Sequence, residues 1–425
     1  EKASFVWLVG SNIRREQPIA AHRLRKANLA GTKIASLHCV DISVPFALHE
    51  NLCVSPDAFI PTLLGIAKAL AADETSLAAF AEIPVNPLQS DLAEQLKASE
   101  NTLIVLGALA NNHPQASLIR SLTQFIAQQS GARCVTLTEG ANSAGASLAG
   151  AVPHRLPCGV SVAEPGLSAA EMLNADLRAF MLLNIEPTLD CANPQQVSKA
   201  LKQADFVLAL SPFKAKSLLD HAHVILPMAT FAEVEGSFIN LASCWQSFSA
   251  AIPPLGQTRS GWEILQTLGN RLELADFNRS DHAFIREELE PILLEHLAGA
   301  KLTFKLDTQQ AAIRANVKGK SSSAKSIRRI SEWPIYSVDS LVRRSLALQN
   351  SATNDPVTVA MNAALASELN FTCGQLIRIE QGVGQVLLPL SIQAGIPDHC
   401  VYIAAGCEET AALGESFGEV KLYAE

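Results

Sequence analysis

The sequence predicts an α/β protein of layered parallel sheets, followed by a small β-barrel-like domain. Three observations carry this reading. Short apolar runs alternate with helix-length stretches through the first half of the chain. Those runs are continuous rather than alternating, the pattern of strands covered on both faces. Beyond a basic, serine-rich stretch, the texture changes to short strands separated by turn residues. At 425 residues, the chain is too long for one ordinary core, and two or three domains are expected.

The elements follow in order. Phe5–Val9 is an apolar strand ending in Gly10-Ser11-Asn12, and a helix is expected over Gln17–Ala30 with Gly31 as its stop. Lys33–Leu37 begins the next strand. The same strand–helix–strand unit recurs at Thr102–Leu106, Gln115–Gln129 and Arg133–Leu137, and again at Leu177–Leu183, Pro194–Gln203 and Phe206–Leu210. A short strand at Val224–Leu226 ends the series. Such units build open, Rossmann-like parallel sheets with helices on both faces. Trp262–Leu274 and Asp281–Leu297 read as further helices. A helix at Asn362–Leu369 then precedes strands at Gln375–Glu380, Gly384–Pro389 and Cys400–Ala405. The resulting division is one α/β domain over 1–150, a second over 151–317, a basic linker over 318–332 and a β-rich domain over 333–425. A basic contact surface is the competing reading of the linker.

Composition narrows the function. A hydrophobic fraction of 48% with 17% charged residues is that of a well-packed globular protein. The formal net charge of −8 argues against nucleic acid as a partner. Apolar runs are strand-sized, as at Leu103–Ala110, and fall short of the ~18 residues of a membrane span, so direct membrane insertion is not expected. The nine cysteines include no C-x-x-C pair. Scattered thiols read as buried small hydrophobes rather than metal ligands, and no metal site is expected here. The first residues lack a charged segment leading into an apolar run, so no signal peptide is expected. Their abrupt entry into a strand reads as part of a longer polypeptide.

The stretch from Val224 to Gln246, V-I-L-P-M-A-T-F-A-E-V-E-G-S-F-I-N-L-A-S-C-W-Q, carries the most chemistry. It resembles the signature of the molybdopterin oxidoreductase superfamily, with Pro227, Glu233, Gly236, Asn240 and Gln246 in place. Within it, the string looks like that of the large iron–sulfur subunit (the G subunit) of bacterial NADH:quinone oxidoreductase, respiratory complex I. The loop and helix G-S-N-I-R-R-E-Q-P-I-A-A-H-R-L-R-K-A from Gly10 resemble that branch. Gly140-Ala-Asn-Ser-Ala-Gly145 also resembles a family segment, as does the C-terminal run from Met361 to Leu390.

The resemblance implies vestigial cleft positions at Gly10, Ser11, Asn12, Asn142, Asn240 and Gln246, with Arg14, Arg15, Arg23 and Arg25 supplying positive charge near the first loop. A glycine turn with solvated arginines is the plainer reading of that loop, and without G-x-G-x-x-G the dinucleotide case is weak. Asn142 and Ser143 are expected to cap the following helix. The family's E-G-R after the asparagine is here Leu241-Ala242-Ser243. Losing that arginine removes a cation for an anionic pterin pyrophosphate, which implies an inherited fold without its cofactor. Glu233 and Glu235 read as capping or solvated carboxylates unless burial raises their pKa. His221 and His223, two apart, are poor joint metal ligands, and His113 before Pro114 reads as a loop residue. No catalytic residue is assigned.

By resemblance, then, the chain is a scaffold and docking segment of the subunit that passes electrons from NADH to quinone in a proton-translocating enzyme. Its iron–sulfur clusters (4Fe-4S and 2Fe-2S) would lie upstream of Glu1. Its partners would be other peripheral-arm subunits of complex I, on the cytoplasmic side of the bacterial inner membrane. The alternatives are a fragment of a molybdopterin-dependent oxidoreductase of the formate dehydrogenase or nitrate reductase type, or a non-catalytic assembly module.

Overall fold

The computed structural model describes residues 2–71, 84–242, 244–277, 286–292 and 326–425. It divides into two compact units, one of Glu1–Leu137, Thr303–Ser337 and Asn350–Glu425, the other of Thr138–Leu302 and Val338–Gln349.

The first unit opens with a five-stranded parallel sheet of order β3-β2-β1-β4-β5. Its strands are β1 (Phe5–Val9), β2 (Lys33–His38), β3 (Glu50–Cys53), β4 (Thr102–Leu106) and β5 (Arg133–Thr136). Strand β1 lies at the centre and is buried along its whole length. That position explains its unbroken apolar sequence, because neither face meets water. The chain leaves β1 for β2 on one side, and leaves β4 for β5 on the other. The β1–β4 junction is therefore the topological switch point, where parallel sheets open their ligand crevices.

Helices cover the sheet. The short α1 (Ile13–Glu16) and α2 (Pro18–Leu29) follow β1. Helix α3 (Pro56–Leu70), which the sequence reading did not anticipate, buries Phe59, Leu63, Leu64 and Ile66. It packs on α4 (Pro87–Ala98) and, beyond the brief α5 (Ala108–Asn112), on α6 (Ala116–Ser130). A capping box between Asn86 and Gln89 starts α4, each side chain taking the other's backbone N–H at 2.9–3.0 Å. Gly65 lets α3 approach that same Gln89, whose Oε1 would lie 2.3 Å from an added Cβ.

The second unit contains a three-stranded parallel sheet of β6 (Ala179–Leu183), β7 (Phe206–Ser211) and β8 (Val224–Pro227). A separate antiparallel hairpin joins β9 (Gly236–Ile239) and β10 (Trp245–Phe248). The helices used below are α7 (Ser143–Leu148), α8 (Pro187–Asp190), α9 (Pro194–Gln203) and α10 (Gly261–Arg271). The expected helix at Asp281–Leu297 lies outside the described residues except for 286–292, which are helical.

Residues 338–349 belong to this unit by a buried charge cluster. Glu186, 2% exposed, takes Arg343 at 2.8 Å and Arg344 at 2.6 Å. Arg343 also meets Asp190, and Arg344 stacks on the Phe213 ring at 4.4 Å.

In the first unit, β11 (Ile327–Ile330), β12 (Val359–Met361), β13 (Leu376–Gln381), β14 (Gly384–Ile392), β15 (Cys400–Ile403) and β16 (Glu419–Ala424) close a barrel of order β11-β15-β12-β14-β13-β16. The expected linker over 318–332 needs correction. Residues 318–325 lie outside the described residues, and Ile327–Ile330 is a barrel strand. Its basic residues are not solvated as a linker's would be. Arg328 pairs with Asp57 at 2.8 Å. Arg329 is buried and donates to Gln381 Oε1 and to the carbonyls of Gly414, Ile403 and Ala404.

Nor do the domains run consecutively as 1–150, 151–317 and 333–425. Ile330, Ala360, Ile396, Cys400 and Phe417 share one apolar cluster with Phe5, Trp7 and Leu63, so the barrel packs on the first sheet's core while its interior, around Met361, Ile377 and Val401, is a cluster of its own. Among the described residues, no helix is long and apolar enough to cross a membrane.

The charge cluster makes a clear test. Arg343→Met leaves Glu186 buried against the partly exposed Arg344, and Asp190 loses its contact. Breaking a buried pair from one side costs ~3–5 kcal/mol. Urea denaturation should show a loss at the lower end of that range, with a smaller loss for Arg344→Met. Equal stability of Arg343→Met and wild type would show that the cluster does not hold the segment.

Candidate functional site

At the switch point the loops after β1 and β4 meet at close range. Gly10 takes a left-handed φ of +58° against Ala110, whose backbone nitrogen would lie 2.6 Å from an added Cβ. Gly107, at the end of β4, presses on Ser11, and a Cβ there would come within 2.3 Å of the Ser11 Cα. The loops after β1 and β4 are therefore interlocked. One carboxylate joins them. Glu16 accepts the Asn12 N–H at 2.5 Å, the Ala108 N–H at 3.1 Å and the Ser11 hydroxyl at 3.1 Å. Burial is the largest influence on Glu16 and pushes its pKa up to about 7, against the lowering effect of the two amides. Nearby, the fully buried His38 holds Nε2 3.4 Å from Glu332 Oε1.

The structure thus places Gly10, Ser11 and Asn12 in one loop, but the polar group at its centre is an acid. Arg14, Arg23 and Arg25 are exposed, and Arg15 pairs with Asp355 at 2.8 Å. The expected positive surround is not built from these arginines, because α1 and α2 turn them to solvent. Sequence reasoning missed Glu16, His38 and Glu332. A carboxylate at the close of a Gly-Ser-Asn loop was the available signal for Glu16; His38 and Glu332 meet only through the fold.

In the second unit, the structure brings Asn142 to the signature hairpin. The Ile239 N–H donates to Asn142 Oδ1 at 2.9 Å. Asn142 therefore does not cap α7, contrary to expectation; its oxygen is turned to β9, and its φ of −121° and ψ of 21° are not those of an extended cap. Gly145 makes room for it, since an added Cβ would lie 2.1 Å from Asn142 Oδ1.

Asn240 and Gln246 meet at the hairpin's end, Asn240 Nδ2 donating to Gln246 Oε1 at 3.4 Å. Asn240 Oδ1 accepts the N–H groups of Ala242 and Cys244 at 2.9 and 3.0 Å. Ser243 lies outside the described residues.

Glu233 accepts the Thr230 and Leu255 amides at 2.7 and 3.0 Å, and the Thr230 amide draws its pKa below the usual range. A general acid needs the opposite shift. Glu235 is exposed.

Between these segments lies a cavity of about 210 Å³, lined by Asn142, Leu148, Cys158, Ile239, Trp245 and Trp262 among others. Arg286 stands over the Trp245 ring at 5.1 Å. Elsewhere in the unit, His223 Nδ1 accepts the Val207 N–H at 3.0 Å, which occupies that nitrogen. In the first unit, His113 is a loop residue as expected, but buried between the rings of Phe59 and Phe417.

Asn142→Ala orphans the Ile239 amide, and leaving a buried donor unpaired costs ~1–3 kcal/mol. Gly145→Ala should act through the same contact by displacing the Asn142 side chain. Both variants are expected to speed hydrogen exchange across Gly236–Ile239, read by mass spectrometry. Unchanged exchange in Asn142→Ala would remove this bond from the hairpin's support.

Comparison with known proteins agrees with this architecture. The sequence model of the molybdopterin oxidoreductase family matches residues 1–271. The G subunit of the NADH-quinone oxidoreductase of Streptomyces coelicolor is 26% identical over 435 aligned residues, covering 95% of this chain and 47% of that protein. Its counterpart of the same name in Mycobacterium tuberculosis is 25% identical, covering 95% and 48%. The chain thus spans about half the length of these relatives. A nitrate reductase of Synechocystis is 30% identical, over 32% of this chain and 20% of that protein. Among solved structures, acetylene hydratase from Pelobacter acetylenicus matches with a TM-score of 0.71 at 12% identity, covering 100% of this chain and 78% of the other. With a family match over well more than half its length, and with the parallel sheets and closed barrel expected from the sequence, the chain belongs to the molybdopterin oxidoreductase family.

Proposed function

We propose that this chain is the molybdopterin-oxidoreductase-like region of the G subunit of an NADH:quinone oxidoreductase, and that it serves there as a cofactor-free scaffold and docking region. Similarity to that subunit along 95% of the chain supports the first part, whereas the nitrate reductase match covers a third of it.

The Glu16 contact carries the second part. A pterin pyrophosphate at the switch point would need backbone donors and cations. There the amides of Asn12 and Ala108 already serve an internal carboxylate, which leaves them no hydrogen for a second anion. In the hairpin, Leu241 and Ala242 offer no charge, and Asn142 and Asn240 are bound to backbone amides. These residues do not fit a pterin–metal cofactor, and no reaction step is assigned to one.

Cysteine spacing points the same way for iron–sulfur clusters. The nine cysteines are scattered, with no C-x-x-C pair to bring two ligands to one cluster from a single loop. We assign the clusters (4Fe-4S and 2Fe-2S) of such a protein to the part of the relatives that this chain does not align with. In this reading, electrons from NADH reach quinone through that part, and the enzyme's proton translocation lies outside the segment. The partners are the other peripheral-arm subunits, and membrane association on the cytoplasmic face comes through them.

The test is to isolate the native assembly containing this chain and measure molybdenum, tungsten and extractable pterin. The expected result is co-purification with an NADH-oxidising complex and metal far below one atom per chain. Stoichiometric molybdenum with pterin would overturn the scaffold reading in favour of a molybdopterin-dependent oxidoreductase. Purification away from any NADH-oxidising activity would favour a separate assembly module.

A further inference from the structure

We propose that Glu16 is a protonation-controlled clasp between the β1 and β4 loops, closed while its carboxylate is ionised and loosened when it takes up a proton. The inference stands apart from the functional assignment above, since it needs only the geometry of the first unit.

Three donors meet this carboxylate. Oε1 takes the Asn12 N–H, while Oε2 takes both the Ser11 hydroxyl and the Ala108 N–H. An ionised carboxylate can accept all three; a protonated one must place its own hydrogen. The two amides cannot accept it. The Ser11 hydroxyl can rotate from donor to acceptor, so the proton settles on Oε2 and points at Ser11 Oγ. Ala108 N–H then faces a hydroxyl oxygen, a weaker acceptor than a carboxylate. The contact given up is the one that reaches β4, and the contact within the β1 loop survives.

The surroundings permit titration near neutrality. Glu16 is largely withdrawn from water, and burial raises its pKa to about 7. The titratable groups facing it are Glu332, which favours protonation, and His38, which opposes it. His38 Nδ1 lies 3.1 Å from the Val40 carbonyl oxygen and 3.2 Å from the Val40 nitrogen, while Nε2 faces Glu332. On the outer side, Arg15 is committed to Asp355.

The raised pKa gives global stability the opposite sign from the local contact. A carboxyl whose folded pKa lies above its unfolded value contributes most at low pH, and that contribution is lost as pH rises from about 4.5 to about 7. Acidification should therefore steady the whole fold while freeing the Ala108 amide. A structural role for Glu16 without titration would give neither effect.

Hydrogen exchange of the full chain, corrected for intrinsic pH dependence and followed across neutral pH, reads the local contact. Losing one such bond is expected to raise exchange at Ala108 about tenfold below the midpoint. Glu16→Gln should abolish that step. Its persistence in Glu16→Gln would overturn the proposal, as would its loss in His38→Gln, which would assign the titration to the His38–Glu332 pair. Carbon NMR of glutamate side-chain carboxyls in the unmodified protein gives a second reading. One carboxyl should titrate near pH 7; the absence of any such resonance, or its disappearance in Glu332→Gln rather than Glu16→Gln, would also sink the idea.

Discussion

The constraint on which the first unit depends is the complete burial of β1. A strand with no exposed residue carries its chain end into a place without water, and the loop that follows must satisfy its polar groups internally. Ser11 is fully buried, and the Asn12 amide follows it. Glu16, one turn on, returns to serve both, and reaches across to Ala108 on the neighbouring loop. The close approaches at Gly10 and Gly107 follow from the same crowding, because two loops sharing one carboxylate leave no room for a side chain between them. At the point where parallel sheets usually open a crevice, the two loops here press on each other.

How much of this was legible depended on whether a residue's role is local. The inner strands β1, β2, β4 and β7 read well because burial on both faces imposes an unbroken apolar run. Helix α3 did not, for a related reason. It is buried around most of its circumference and contains Pro61, so it lacks both a polar face and an uninterrupted helical pattern. Strand β3 and the β9–β10 hairpin are short and partly exposed, with too few residues to establish a period. Strand β11 misled for chemical reasons. Ile-Arg-Arg-Ile beside a serine-rich stretch reads as solvated linker until barrel closure surrounds Arg329 with carbonyl oxygens. Those oxygens are neutral, and burial among them lowers the Arg329 pKa to about 10.

The signature string shows the same division. Glu233 ties Thr230 to Leu255, Asn240 closes the hairpin turn, and Gly236 lies under the Phe248 ring, 3.2 Å from an added Cβ. Each of these surviving motif residues has a task in holding the hairpin's backbone. The motif's acid, glycine and arginine have no such task visible at Leu241 and Ala242. A hairpin can keep its shape without them, which is why the string reports ancestry well and ligand binding poorly. Asn142 extends the point, because its partner Ile239 lies 97 positions away and no local pattern could have named it.

Three carboxylates show how the fold manages negative charge at different depths. Glu233, near the surface, accepts backbone donors, and the Thr230 amide lowers its pKa by more than its slight desolvation raises it. Glu186, almost wholly buried, is matched by two guanidinium groups from one returning segment. Glu16 has backbone amides and a hydroxyl but, among the described residues, no cation bonded to it, and there desolvation wins. Neutral donors stabilise an anion less than a paired cation does at the same depth. A buried carboxylate served by neutral donors therefore remains the one whose charge the protein can most readily give up.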